Sequence, residues 1–327
     1  MPQLTQHERD RIERLMGIFN PEATRRRKVL HDTAERVVHY TSADNAMKII
    51  SSQTMWLRNT NCMSDYMEVT LGFSHLQRFF SDQNRMQRFA AALDACYPKL
   101  GADSISHVSQ WMPEIRANTY IASVSEHDPK EDLYGRLSMW RAFGQAATAR
   151  AAIVMNVPDP WAAEGLHLTL LPIEYVTDYP EVEARLEQAV RDIIANIPFL
   201  RTFPRDRLQF VVFGLLTSIA VCSKHVGFTE EQEWRVIYLP NYWASDVIKP
   251  STQTVGGIPQ IVYEVPLKED SAHDVNGVGI PALVERIIIG PSVYPVPMAM
   301  AFIDALRKAG VPDPEKRVFV SNIPIRS

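Results

Sequence analysis

Short runs of β-branched and aromatic residues alternate along the chain with stretches in which apolar residues recur at helical spacing. The run 37–41 predicts a strand, Ser42 suits a helix N-cap, and the residues after it predict a helix that ends near Gln53. The same criteria predict further strands at 54–58, 120–125, 151–157, 168–176, 233–239, 260–265 and 285–289. The Gly- and Pro-rich segment 250–259 is predicted to be a loop.

Helical spacing is the main pattern in the remaining segments. Residues 66–117 predict two or three amphipathic helices, 133–143 a short helix, and 180–222 a helical hairpin inserted into the sheet. The longest apolar stretch, 210–222, falls short of the roughly 20 residues that cross a bilayer, so it predicts a buried helix and no membrane partner. The N-terminal residues lack the basic-then-apolar order of a secretory signal and predict a surface helix.

Strands separated by helical insertions predict the α+β class. Residues 1–35 are expected to form an N-terminal helical arm, and 36–327 a single α+β domain that carries the hairpin at about 180–222. Neither Gly-x-Gly-x-x-Gly nor a P-loop occurs, and the chain has only 14 glycines. Dinucleotide binding of the Rossmann kind is therefore not indicated, and any nucleotide must be held in another way.

Charge and cysteine content narrow the range of partners. The net charge is -4, from 34 basic and 38 acidic residues, with no basic stripe of the kind that neutralises phosphates. Duplex DNA is therefore not indicated as the main partner. The three cysteines are far apart and lack the close pairs that zinc sites and redox motifs use, which favours a reducing, cytoplasmic location and no metal.

The late segment Glu231-Gln-Glu-Trp-Arg235 is the first candidate for chemistry. Strand alternation would place Glu231, Glu233 and Arg235 on one face. Two carboxylates on an open face can divide the work, one stabilising a developing oxocarbenium ion while the other deprotonates a nucleophile. The alternative is a solvated strand face on which Arg235 is a counter-ion.

Three further features have a structural and a functional interpretation. His39, inside an apolar strand, could donate to a ribose hydroxyl or bond a neighbouring carbonyl. Trp140 and Arg141 could clamp a planar anionic ligand, although Trp140 is equally expected in a core. Asp65 and Glu68 form an acidic pair at a predicted helix start, where capping is the usual role.

A rival pattern is His-apolar-Ser/Thr, which occurs at His39, His107 and His167. It resembles the paired motif of two-histidine phosphoesterases and would indicate action on RNA ends. About one such match is expected by chance with nine histidines, so the pattern is weak.

Seven short motifs, taken in order, resemble a bacterial domain-of-unknown-function family, number 2971. They are His39-Tyr40-Thr41-Ser42, Ser64-Asp65-x-x-Glu68, Ser123-x-Ser125, Met139-Trp140-Arg141-x-Phe143-Gly144, Lys224, Glu231-x-Glu233-Trp234-Arg235 and Ile289-Gly290-Pro291. The similarity spans about residues 36–295. Ser64 departs from the family, which usually has Asn there.

That family is in turn similar to the ADP-ribosyltransferases, in which a His or Arg on an early strand, a Ser-containing central strand and a late Glu act together. The resemblance implies a mostly antiparallel split sheet, NAD as substrate and no metal. It also implies an intracellular bacterial effector, toxin or phage-defence protein that modifies an unknown acceptor, protein or nucleic acid, or hydrolyses NAD. A non-catalytic module that binds a nucleotide or a partner within a larger system is the alternative.

The resemblance also implies roles for individual residues. Glu233 would bind the 2′-hydroxyl of the nicotinamide ribose, and Glu231 would activate the acceptor. Residues of the early and central strands and of the 133–143 helix would contact NAD: His39, Tyr40, Thr41, Ser123, Ser125, Trp140 and Arg141. The remaining candidates are Asp65, Glu68, Lys224 and Arg235.

Overall fold

The computed structural model describes residues 4–33, 35–63, 69–142 and 149–324. The chain divides into two compact units, each assembled from separate segments of the sequence. The first, called the helical unit, comprises Met1–Lys28, Met63–Thr119 and Leu171–Thr229. The second, called the sheet unit, comprises Val29–Cys62, Tyr120–Leu170 and Glu230–Ser327.

The helical unit contains most of the predicted amphipathic helices. Its helices are α1 (Gln6–Phe19), α2 (Pro21–Asp32, which continues past Lys28), α4 (Thr70–Ser81), α5 (Gln83–Asp94), α6 (Leu100–Asn118), α8 (Tyr179–Ala195), α9 (Ile197–Leu200) and α10 (Arg205–Cys222). The apolar helix α10 is buried along most of its length, as predicted. Among the described residues, no helix is both long and apolar enough to cross a membrane.

The predicted arm, 1–35, belongs to this unit only up to Lys28, and the predicted hairpin belongs to it as a whole. Helix α1 packs against α8 and α10, because Leu15, Ile18 and Phe19 form a buried face on an otherwise polar helix. The predicted strand 168–176 is two strands. Only β5 (Thr169–Pro172) joins the main sheet, whereas β6 (Glu174–Val176) pairs in parallel with β7 (Ser223–His225).

The sheet unit is built on one ten-stranded sheet. Its other strands are β1 (Arg36–Ser42), β2 (Thr54–Asn59), β3 (Tyr120–His127), β4 (Arg150–Asn156), β8 (Glu233–Tyr238), β9 (Lys249–Val255), β10 (Ile258–Pro266), β11 (Val284–Ile289) and β12 (Val318–Val320). The order is β12-β11-β4-β1-β3-β2-β10-β9, and β8 pairs with both β3 and β5. Only the pair of β11 and β12 is parallel among the registered strand pairs of this sheet, so the predicted α+β class with a mostly antiparallel sheet is confirmed.

Alternating side chains supply both faces of this sheet with apolar residues. On one face Val37, Val124 and Trp234 belong to a cluster that includes residues of α3 (Ala43–Ser52) and α12 (Pro295–Lys308). On the other face Val38 and Tyr40 pack against α7 (Leu137–Ala142). A short helix, α11 (Ile280–Leu283), precedes β11.

Two predictions about local structure are wrong. The segment 250–259, predicted as a loop, forms most of the β9–β10 hairpin, with the turn at Gly256 and Gly257. Both glycines have positive φ, 60° and 82°, which suits a tight hairpin turn of the primed type. The helix predicted at 133–143 begins only at Leu137, because Gly135 has a φ of 69° that no helix accommodates.

Candidate functional site

The candidate site lies where one edge of β3 changes its partner strand. The C-terminal end of β3 pairs with β1, with Val38 opposite Ser125, and its N-terminal end pairs with β2, with Arg58 opposite Ile121. Among the described residues, 122–124 have no ladder partner on this edge. The two strands therefore separate from β3 and leave a split in the sheet.

His39 reaches into this split from β1. Its Nδ1 lies 2.9 Å from the backbone carbonyl oxygen of Ser123. Because a carbonyl oxygen only accepts, Nδ1 of the neutral ring carries the proton and Nε2 presents a lone pair. Burial lowers the pKa of His39 more than the hydrogen bond to Ser123 raises it, which keeps the ring neutral near pH 7. The carbonyl contact that the sequence allowed is therefore present.

Ser123 connects the split to the late strand β8. Its hydroxyl donates to Glu233 Oε1 at 2.6 Å, and the same oxygen accepts from Arg235 Nε at 3.0 Å. The register places Ser125 opposite Glu233 and Ser123 opposite Arg235, so these side chains share one face of the sheet. Two donors to one oxygen fix the orientation of the carboxylate. His39, Ser123 and Glu233 are thus linked through the carbonyl and the hydroxyl of Ser123, although strand alternation places the His39 side chain on the face of the sheet opposite Glu233.

The charged face of β8 is buried. Glu233 is 3% exposed and Arg235 is fully buried. The predicted alternation along 233–238 is present, but the interpretation as a solvated strand face is wrong because both faces of β8 are covered. A buried charge is tolerated when it is paired and hydrogen-bonded, and the contact between Glu233 and Arg235 meets this condition.

Glu231 does not share the strand face with Glu233. It ends a 3-10 turn, Val226–Glu231, and β8 begins only at Glu233. Between them Gln232 has a φ of 43°, in the left-handed region, which breaks the two-residue period of a strand. The expectation of two carboxylates on one strand face is therefore wrong, although Glu231 remains next to the start of β8.

Tyr40 and Trp140 form a packed pair. Their ring centroids lie 4.9 Å apart in an edge-to-face arrangement, and Trp140 is fully buried with its Nε1 donating to the Tyr134 carbonyl at 2.8 Å. The Tyr40 hydroxyl accepts from the backbone N–H of Arg136 at 2.7 Å, and burial raises its pKa. Trp140 offers no exposed ring to a ligand, so the expectation that it flanks NAD is wrong and its core interpretation holds.

The other predicted contacts have separate environments or lie outside the described residues. Thr41 accepts from Asn45 at the start of α3, and Ser125 is buried. Arg141 is exposed near the end of α7. Asp65 and Glu68 lie outside the described residues, as do the last two positions of the motif that begins at Met139.

Lys224 lies in the helical unit, on β7. It is 5% exposed, and its Nζ is 4.7 Å from the centroid of the Phe228 ring. Within the described ranges, no group of three or more His, Cys, Asp or Glu side chains is placed to hold a metal ion.

The three His-x-Ser/Thr motifs do not form equivalent sites. His39 is on a strand, whereas His107 is on helix α6 against the ring of Phe213. His167 ends a 3-10 turn with a φ of 51°, bonds the Ala244 carbonyl and stacks on Trp243. The pattern that suggested a phosphoesterase thus occurs on three different kinds of element.

Arg136 is a central residue that the sequence did not indicate. Its guanidinium donates to the Glu131 carboxylate, the Gln232 side chain and the carbonyls of Glu126 and Glu230, at distances of 2.7 to 3.2 Å. It therefore ties the end of β3 to the turn that precedes Glu233. A longer contact of 3.5 Å reaches the Glu231 carbonyl, so three of its five partners are main-chain carbonyls, which leave no mark in a sequence.

Arg136 also forms part of the wall of a cleft in the sheet unit. The cleft has a volume of about 550 Å³, within the range of small-molecule sites. It is lined by Asp128, Lys130, Glu131, Tyr134, Gly135, Arg136, Leu137, Asn322, Ile323 and Pro324. The hydrogen bond from Arg136 to Gln232 links this wall to the residue that precedes Glu233.

Comparison of the chain with protein-family models, with curated proteins and with solved structures found no match.

Proposed function

We propose that this chain transfers ADP-ribose from NAD to an acceptor, or to water, as an intracellular bacterial effector, toxin or phage-defence protein with a fold like that of the ADP-ribosyltransferases. The observation that carries the proposal is the pair of hydrogen bonds that link His39 to Ser123 and Ser123 to Glu233. Three distant segments are joined through Ser123: His39 bonds its carbonyl from the split, and Glu233 bonds its hydroxyl from β8, on the other edge and the other face of β3. The mostly antiparallel sheet with helical insertions is consistent with it.

The reaction needs a correctly positioned NAD and a negative charge near C1′ of the ribose. The bond between C1′ of the ribose and the nicotinamide nitrogen breaks, and its electron pair leaves on nicotinamide. The acceptor atom bonds C1′ and releases its proton. A carboxylate next to the ribose stabilises the positive charge that develops at C1′. Glu233 suits this role because Ser123 and Arg235 hold its orientation.

His39 suits a role in binding the dinucleotide. With Nδ1–H committed to the Ser123 carbonyl, Nε2 can accept a hydrogen bond from a ribose hydroxyl. The lowered pKa of His39 preserves this acceptor at neutral pH, because a protonated ring would present a donor instead.

Nicotinamide release from NAD tests the proposal, with and without a bacterial cell extract. Glu233→Gln is expected to lower kcat by about 100-fold or more with little change in KM, since it removes charge from the stabilising group. Ser123→Ala is a milder second variant that leaves the buried ion pair in place. Glu164→Gln is the control, because Glu164 is an exposed carboxylate on a separate 3-10 turn.

Absence of nicotinamide release by the wild-type chain under both conditions would refute the proposal. So would a wild-type rate in Glu233→Gln, provided that circular dichroism and thermal unfolding show the variant to be folded.

A non-catalytic binding module is the second candidate, and the burial of Glu233 favours it. A carboxylate that is 3% exposed and already accepts from two donors can be purely structural. In that case Glu233→Gln alters stability alone, and NAD protects the fold from heat without being consumed. Trp140→Ala does not separate the two candidates, because the ring is in the core and its loss would destabilise the fold in either case.

A further inference from the structure

The cleft and Glu233 lie on the same face of the sheet. Val38, Ser125 and Glu233 follow one another in register across β1, β3 and β8, so their side chains point to one side. Val38 packs in a cluster with Trp140. Trp140 lies directly under Gly135 in the cleft wall, where a Cβ would come within 2.7 Å of the indole ring.

One residue joins the cleft to the start of β8. Arg136 lines the cleft and donates to Gln232 Oε1 at 2.7 Å and to the Glu230 carbonyl at 2.9 Å. Gln232 immediately precedes Glu233. A molecule in the cleft therefore contacts the residue that fixes the turn before the carboxylate.

The charges of the lining do not suit a polyanion. Two are positive, Lys130 and Arg136, and two are negative, Asp128 and Glu131, so they cancel. The guanidinium of Arg136 is already bonded to Glu131 and to main-chain carbonyls. Nucleic-acid sites instead present several cations that remain available to phosphates.

The remaining lining suits an apolar side chain. Tyr134, Leu137, Ile323 and Pro324 contribute apolar surface, and Tyr134 and Leu137 are each 39% exposed. Partly exposed apolar walls with a few polar groups are typical of sites that hold a side chain of a partner protein.

We propose that this cleft is the acceptor site, and that the acceptor is a segment of polypeptide that inserts an apolar side chain beside Leu137. The proposal rests on the ADP-ribosyl transfer proposed above. A nucleophilic side chain next to the inserted residue would form the new bond to C1′ and lose its proton, while nicotinamide leaves with the electron pair of the broken bond.

The test uses the full-length chain and NAD that carries biotin on its adenine. Label transfer is measured in bacterial extract, treated after the reaction with nuclease or with protease, and nicotinamide release is measured in parallel. Leu137→Glu is the test variant, because it places a charge in the apolar wall. Leu133→Glu is the matched control, since Leu133 is 60% exposed and is not part of the lining.

We expect protease-sensitive, nuclease-resistant label. Leu137→Glu should reduce it by about 10-fold or more, and nicotinamide release in the extract should fall with it, because each transfer releases one nicotinamide. Leu133→Glu should match the wild type in both measurements. Nuclease-sensitive label, unchanged labelling by Leu137→Glu, or NAD hydrolysis without any labelled polypeptide would overturn the acceptor assignment and leave the NAD chemistry standing. Absence of nicotinamide release by the wild-type chain would overturn the proposed function, and the acceptor assignment with it.

Discussion

Glu233 and Arg235 place opposite charges next to each other inside the sheet unit. Their side chains are 3% and 0% exposed, and their nearest atoms are 3.0 Å apart. Each charge loses its hydration on folding, so the pair is stable only while both members are present. The free energy of unfolding should therefore respond far more to loss of one partner than to loss of both.

We expect Arg235→Met to lower the free energy of unfolding by about 3 to 5 kcal/mol, because it leaves the Glu233 carboxylate buried without its cation. The double variant Glu233→Gln/Arg235→Met should lose less free energy of unfolding than the two single variants lose together, by about 1 kcal/mol or more. Urea unfolding of the four proteins of this cycle measures both quantities.

The control for this cycle is the exposed pair Lys308 and Asp304 on α12, whose side chains are 76% and 53% exposed. Lys308→Met should change stability very little, because water solvates the partner that remains. Additive effects of Glu233→Gln and Arg235→Met would contradict the coupling that the buried contact implies.

The sequence indicates the members of the site better than their surroundings. Strand alternation correctly groups Glu233 with Arg235. The order of motifs grouped Ser123 and His39 with them; the Ser123 hydroxyl bonds Glu233, whereas His39 bonds only the Ser123 carbonyl. It misplaces Glu231, because the left-handed backbone of Gln232 has no signature in residue type. The alternating pattern also does not predict whether a charged strand face is exposed to solvent or buried.

At the scale of single elements, α3 begins and ends with well-defined caps. The Ser42 hydroxyl accepts from the backbone N–H of Asn45, as the sequence predicted for an N-cap. At the other end Gln53 adopts φ 52° and ψ 46°, and its N–H donates to the Ile49 carbonyl. A left-handed C-cap favours glycine, because a Cβ crowds the backbone in this conformation.

Gln53→Gly is therefore expected to stabilise the chain by about 0.5 to 1 kcal/mol, through relief of the left-handed conformation. Ser52→Gly, one residue earlier and still in the helix, should destabilise it by about 0.5 kcal/mol. Thermal and urea unfolding of both variants measure the difference. Destabilisation by both substitutions to a similar extent would contradict the assigned cap.

Periodicity predicts elements well when one face is apolar and poorly when the environment is mixed. The strand, helix and strand at 36–59 follow the prediction closely, since each has a clear apolar face. The edge strand β9 alternates between exposed and half-buried residues that are mostly polar, and its sequence was therefore predicted to be a loop. Helix α12 begins at Pro295, in a segment where prolines hide the helical period.

At the scale of the whole molecule, sequence segments that are far apart form each compact unit. Helix α1 packs on α8 and α10, some 160 or more residues later in the chain. Local patterns identify each of these helices, but they carry no information about which ones pack together. The division of the chain at Lys28, Cys62, Thr119, Leu170 and Thr229 therefore could not be predicted.

Burial of histidines links the stability of the whole chain to pH. Burial lowers the pKa of His39, His75 and His127 below the ordinary value of 6.5. A folded chain whose histidines resist protonation binds fewer protons than the unfolded chain below pH 6.5. The contribution of these buried, neutral histidines to the free energy of unfolding is therefore fully present above pH 6.5. It decreases as the pH falls from 6.5 toward the folded-state pKa values.

His127 is the best residue with which to test this linkage. Its side chain is fully buried, Nε2 lies 2.8 Å from Asp132 Oδ1, and Nδ1 has no hydrogen-bond partner that could stabilise a second proton. His127→Gln removes the titration and keeps a side-chain N–H that can reach Asp132. Between pH 6.5 and 5.5 its stability should fall less steeply than that of the wild type, by at most about 1.4 kcal/mol per pH unit.

Urea unfolding at pH 7.5, 6.5 and 5.5 measures the slope, and His7→Gln, at an exposed position of α1, is the control for the loss of a histidine as such. Because Asp132 also bonds Arg36 and Arg286, loss of the imidazole leaves its carboxylate paired, so a change of slope reports on His127 itself. Identical slopes for the wild type and His127→Gln would mean that His127 titrates equally in the folded and unfolded chains, which its complete burial argues against.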